Sequence, residues 1–284
     1  MVLAAAASAC GPRTLVIVDP DPCADGGAGP GCPNPCADGG VINGVPVPGC
    51  VPPGLLGDDL IGYWQLDDGS GSTTANDLTQ RNHGTLVDLD RATAWVTGRA
   101  AGGLNVAAVG FVNVISSPSI NSITDQVTIS GWGYLDGAIV DEYATIASRQ
   151  ETTTIDQYYH IGFYRDGTPT TFIKTENRTS IRRGPAPAPI RTWVHLATTY
   201  DGTVVRFYID GQEVMNEPLT GRFVPDTTPF VLGGNGNAAE ITERFAGRVD
   251  EIMLYRRALS ASEIAMLHAG ALFPPQFRDG GARD

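Results

Sequence analysis

Carboxylates are the reactive groups this chain has most of, and their spacing decides which reactions are open to it. It carries 31 Asp and Glu against 19 Lys and Arg over 284 residues, a formal charge of −12. Acid–base cleavage of a sugar bond needs two carboxyls about 5 Å apart across one cleft. On a strand, that means acids at i and i+2 or i+4, which share a face. Asp250-Glu251 and Asp141-Glu142 are adjacent and so face opposite ways, and a turn separates Asp210 from Glu213. His83, His160, His195 and His268 stand apart, without metal-ligand spacing. There is no Gly-x-Ser-x-Gly elbow, and Gly233-Gly234-Asn235-Gly236-Asn237 lacks the lysine and helix of a phosphate loop. The residue pattern predicts a protein that is not an enzyme.

One carboxylate carries a different message. If Ile252 and Leu254 face a core, period two puts Asp250 on the same inner face. A carboxylate pointing inward is costly unless it is paired, exposed at the strand start or bound to a cation. Other oxygen-rich positions are Asp67 and Asp68 in LDDGSG, and Asp77 with Asn82 in ANDLTQRNHG. Plain turn formation accounts for Asp67, Asp68 and Asp77 equally well. An acidic chain with one lysine and eighteen arginines has no footprint for nucleic acid and no polybasic patch for a membrane surface.

All five cysteines lie in the first 50 residues. Residues 2–9 are small and apolar, and Ala7-Ser8-Ala9-Cys10 resembles the lipobox of bacterial lipoproteins, in which the cysteine is acylated. The expectation is a signal-peptide remnant over 1–10 with lipidation at Cys10. The protein is then exported and held at the outer membrane or cell surface, with secretion as the alternative. A lipid is its only membrane contact, since no apolar run approaches the ~20 residues of a bilayer span. Residues 11–54, with CADGG at 23–27 and again at 36–40, read as a Pro/Gly/Cys-rich linker. Cys23, Cys32, Cys36 and Cys50 suit two disulfides in an oxidising compartment, or a four-thiol metal site, although paired Cys-x2-Cys knuckles are missing.

From residue 55 to 272 the texture is that of a folded body, followed by a disordered tail over 273–284. Strands are predicted near 60–66, 103–106, 111–115, 126–134, 143–149, 158–164, 170–175, 229–233 and 245–256. Residues 193–214 form an antiparallel meander, with Val194, Leu196, Thr198 and Tyr200 on one face. Asp166-Gly167, Asp201-Gly202 and Asp210-Gly211 suit tight hairpins. A capping box, Ser260-Ala261-Ser262-Glu263, starts one helix and Gly270 closes it. Many strands with one helix predict an all-β, antiparallel two-sheet sandwich.

Six segments then resemble one family in order: GYWQLDDGSG, NHGTL, WVTGR with Gly103-Leu104-Asn105, SPSINSITDQVTISGW, WVHLATTYDGTVVRFYIDGQEV and FAGRVDEIMLYRRALSASEI. Over about 58–272 the chain is similar to the bacterial laminin-G-like, concanavalin A-like jelly-roll domain. The resemblance implies a monomeric, non-catalytic surface module that binds a glycan. The alternative is a module that binds a surface protein instead. It also implies a structural calcium, because the family's first and last strands lie side by side and would gather Asp68, Asp77, Asn82 and Asp250. Arg81 in the same loop is the alternative occupant of that cation's place. Tyr143, Tyr158, Tyr159, Tyr164 and Arg182-Arg183 are candidates to line a sugar site.

Overall fold

The computed structural model describes residues 41–42, 45–46, 55–107, 109–150, 157–224, 227–237 and 240–272. The five cysteines and the 273–284 tail lie outside the described residues.

Alternating apolar and polar residues build two antiparallel eight-stranded sheets. The first contains β4 (Thr74–Ala75), β5 (Gly84–Val87), β8 (Phe111–Val114), β10 (Tyr143–Gln150), β11 (Gln157–Tyr164), β12 (Pro169–Lys174), β13 (Thr179–Arg183) and β17 (Phe230–Leu232). Its order is β13-β12-β11-β10-β17-β8-β5-β4. The second is made from β3 (Leu60–Trp64), β6 (Trp95–Thr97), β7 (Gly102–Asn105), β9 (Val127–Leu135), β14 (Trp193–Tyr200), β15 (Val204–Ile209), β16 (Gln212–Pro218) and β20 (Gly247–Tyr255). It runs β16-β15-β14-β9-β20-β7-β6, and β3 also pairs with β20. The chain's first and last long strands are therefore neighbours. β1 (Val41–Ile42) and β2 (Val45–Pro46) pair ahead of the body. The hairpin of β18 (Asn235–Asn237) and β19 (Glu240–Thr242) lays Ile241 over Phe111 and Val231 on the outer side of the first sheet.

The predicted sandwich is therefore what the chain forms. Its core lies between the sheets, where Ile129, Leu196, Tyr200, Phe207, Ile252 and Leu254 of the second meet Ile146, Ile161, Phe163, Ile173 and Phe230 of the first. The meander keeps the predicted phase, with Val194, Leu196 and Tyr200 in that core. Of the three Asp-Gly pairs, only Asp210-Gly211 has positive φ at both residues, 48° and 76°. Asp166 and Asp201 instead accept the amides of Thr168 and Thr203, two residues on, and leave positive φ to the glycine.

Helix α1 (Pro118–Asn121) is a single turn whose Ile120 enters the core. Helix α2 (Ala261–His268) starts on the predicted capping box, Ser260 with Glu263. It sets Ile264, Met266 and Leu267 against Leu60, Tyr63, Tyr208, Met253 and Tyr255 on the outer face of the second sheet. Among the described residues, no helix covers the outer face of the first.

Candidate functional site

The predicted metal residues come apart. β20 carries one extra residue between Asp250 and Met253 against Trp132 and Ser130 of β9, and Glu251 absorbs it at φ 53°. This bulge shifts the strand's phase. Asp250 thus lies on the outer face while Ile252 and Leu254 stay in the core, which corrects the inward orientation expected from period two. Its Oδ2 accepts the amides of Arg99 (2.6 Å) and Ala100 (3.0 Å), and its Oδ1 accepts that of Glu251 (2.9 Å). Asp77 sits elsewhere. Its carboxylate accepts the amides of Tyr63, Thr79, Arg81 and Asn82, a cap that holds the 77–82 loop. Asn82 spends its side chain on Ile61 O, Ser117 and Ser119. Asp68 accepts from Asn76, and Asp67 from the Gly102 amide. Arg81 reaches Leu60 O and leaves Asp250 alone. Among the described residues, no three acidic, His or Cys side chains gather as a metal centre requires. A calcium shell takes six to eight oxygens; the three carboxylates already accept backbone amides and the Asn82 oxygen two serine hydroxyls, so the four do not fit one ion.

Around Asp250 the outer face is packed solid. Tyr63 Oη donates to Glu251, the Arg99 guanidinium lies 4.6 Å from the Trp132 ring centre, and His268 of α2 stacks on that ring at 5.4 Å. His195 Nε2 is 2.9 Å from Ser130 Oγ, the spacing of a nucleophile and its base. Both residues are only 1% exposed, so no substrate reaches them. Burial pushes the imidazole of His195 down to about 3, and it stays neutral.

Three of the residues proposed for a sugar site meet on the outer side of the first sheet. Tyr143 opens β10, Tyr164 ends β11, and the two pair in register with their rings 5.4 Å apart, edge to face. The Arg183 guanidinium at the end of β13 lies 3.2 Å from the centre of the Tyr164 ring. Both tyrosines are half-buried and Arg183 is exposed. Phe172 and His160 support Tyr143 from below, at 4.8 and 6.3 Å. Gly162 makes room for this stack, since a Cβ there would collide with Ala144 O and crowd His160 Nε2. His160 in turn bonds Thr145 Oγ1 at 3.0 Å, and Thr145 donates to Glu243. The platform is fixed from beneath. Tyr158 and Tyr159 turn into the core instead, and Arg182 pairs with Glu217.

Beside the platform lies a cavity of about 310 Å³, lined by Leu135, Ile139, Ala188 and Ile190 with Arg165 and Asp166. Arg165 belongs to both, with its guanidinium 5.9 Å from the Tyr164 ring centre. Backbone bonds pin the three loops that shape it: Arg165 N to Glu142 O (2.8 Å), Ala188 N to Gly167 O (2.9 Å) and Arg191 N to Leu135 O (2.8 Å). Sequence reasoning missed this pocket. Its one legible signal was GPAPAP over 184–189, a run stiff enough to hold a loop's shape.

A family model described as the concanavalin A-like lectin/glucanases superfamily matches residues 110–265. The chain belongs to that family. The match spans more than half of it, from β8 into α2. Shorter likenesses run to the zebrafish (Danio rerio) adhesion G-protein coupled receptor V1, 30% identical over 96 residues, and to mouse (Mus musculus) pappalysin-1, 34% over 77. These cover 32% and 25% of the chain but only 2% and 4% of those proteins. Among solved structures, domain 4 of the Geobacillus stearothermophilus GH43 extracellular arabinanase AbnA, in complex with arabinotriose, has a TM-score of 0.54 at 20% identity. It covers 74% of this chain and 98% of its own. The binding domain of Paraclostridial Mosquitocidal Protein 1 has a TM-score of 0.56 at 19% identity, covering 74% and 52%. Trypanosoma rangeli sialidase gives 0.56 at 15%, covering 74% of this chain and 32% of the enzyme. At these identities the likeness is one of fold.

Proposed function

We propose that the domain is a non-catalytic carbohydrate-binding module displayed at the cell surface, with its ligand lying across Tyr143 and Tyr164. The observation that carries this reading is the rigid tyrosine pair beside an exposed guanidinium, on the sheet face that α2 leaves bare. A sugar ring offers aliphatic C–H groups to an aromatic face and hydroxyls to a guanidinium fork, the two chemistries this platform presents. The arabinotriose complex of the similar arabinanase domain supports the reading by analogy of fold. A non-catalytic role fits the paired acids: Asp250 and Glu251 are buried on the far sheet, out of reach of a glycan on the platform.

A glycan array screened with the full chain tests it. Bound oligosaccharides are expected, and Tyr164→Ala should weaken the best of them at least tenfold with an unchanged circular dichroism spectrum. Full binding by that variant would remove the platform from the reading. A second reading, a protein partner, draws on Val140, 89% exposed, and on Ile190, 61% exposed at the pocket's rim. It predicts an empty array.

A further inference from the structure

We infer that the pocket beside the platform selects sugars carrying an acetamido group, so that the ligand is an N-acetylated glycan. This rests on the sugar-binding reading above and adds to it a substituent. The floor of the pocket is aliphatic, made by Leu135, Ile139 and Ala188, while its rim carries Ile190 and one cation and one anion in sequence, Arg165 and Asp166. No ion pair engages either charge among the described residues. Hydrogen bonds from Thr168 hold the Asp166 carboxyl below the usual carboxylate range, so it is ionised and ready to accept.

An acetamido group has the same order of parts. Its methyl is apolar, its carbonyl oxygen accepts and its N–H donates. With the methyl on the aliphatic floor, the carbonyl meets Arg165 and the N–H meets Asp166. A hydroxyl in the same place would leave the aliphatic floor wet. The cavity of about 310 Å³ lies at the small end of ligand sites, with room for one substituted ring. Arg165 also borders the Tyr164 ring, which puts the next sugar of a chain on the platform. The loops are pinned by main-chain hydrogen bonds, so the pocket is formed before ligand arrives.

Calorimetric titration of the full chain with chitotriose and with cellotriose separates the two readings, since these trimers differ only in the acetamido group. Chitotriose is expected to bind at least tenfold more tightly. Arg165→Ala should weaken chitotriose by at least tenfold and so erase that preference, whereas Tyr164→Ala should lower both trimers and keep their ratio. Equal binding of the trimers, or a preference for cellotriose, overturns the inference and leaves the sugar platform standing. Chitotriose that fails to bind overturns it too. The array of the previous section then decides separately whether another glycan binds the platform.

Discussion

At the scale of the residue, the buried acids of β20 and the buried histidines set opposing responses to pH. Burial pushes the Glu251 carboxyl up to about 8, and Tyr63 donates to one of its oxygens while the other has no partner. A carboxyl raised in the folded state adds stability below its unfolded value near 4.5 and loses it as pH climbs through about 8. His160 and His195, pushed down to about 3 by burial, act in the other direction. They add stability above their unfolded value near 6.5 and lose it as pH falls toward 3. The midpoint of thermal unfolding is therefore expected to peak in mildly acidic solution and fall on both sides. Glu251→Gln, which keeps the shape and removes the titration, should flatten the alkaline limb and spare the acid one. An alkaline limb unchanged in that variant would assign it to another group.

At the scale of the element, what could be read in advance followed from regular periodicity, and what could not followed from its interruption. The alternation in WVHLATTY gave both the strand and its buried face, and Ser260 with Glu263 gave the helix start. The β20 bulge has no such signature. One added residue with positive φ at Glu251 turns Asp250 to the other face, and no count by twos reports it. Strand β13, TSIRR, was missed because its polar edge sequence reads as loop. The platform was half legible: tyrosines and arginines in the right region could be named, but only the register of β10 with β11 separates Tyr143 and Tyr164 from Tyr158 and Tyr159. The 77–82 loop carries its own expectation. Asp77 caps four amides, so Asp77→Ala should cost about 3 kcal/mol by leaving buried donors unpaired. Chemical denaturation should give the same loss with calcium and with chelator. A thermal-unfolding midpoint that rises several degrees with calcium in the parent protein would show that an ion enters after all.

At the scale of the whole molecule, the two outer faces divide the work. One is sealed by α2 and receives the start of the body, where Leu55 is buried and its carbonyl accepts from Tyr255 Oη at 3.1 Å. The other carries the platform. The expected lipid at Cys10 has a direct check: the protein should take up a fatty-acid label, and Cys10→Ala should abolish labelling and release the protein from membranes. An unlabelled parent would end the lipoprotein reading. The placement of Leu55 also fixes how the molecule bears load. A domain held through its leading segment and gripped by a ligand is pulled in on one sheet and out through the other. The tension crosses the interdigitated side chains between them, as in a glued lap joint, and peels no hairpin from its free end.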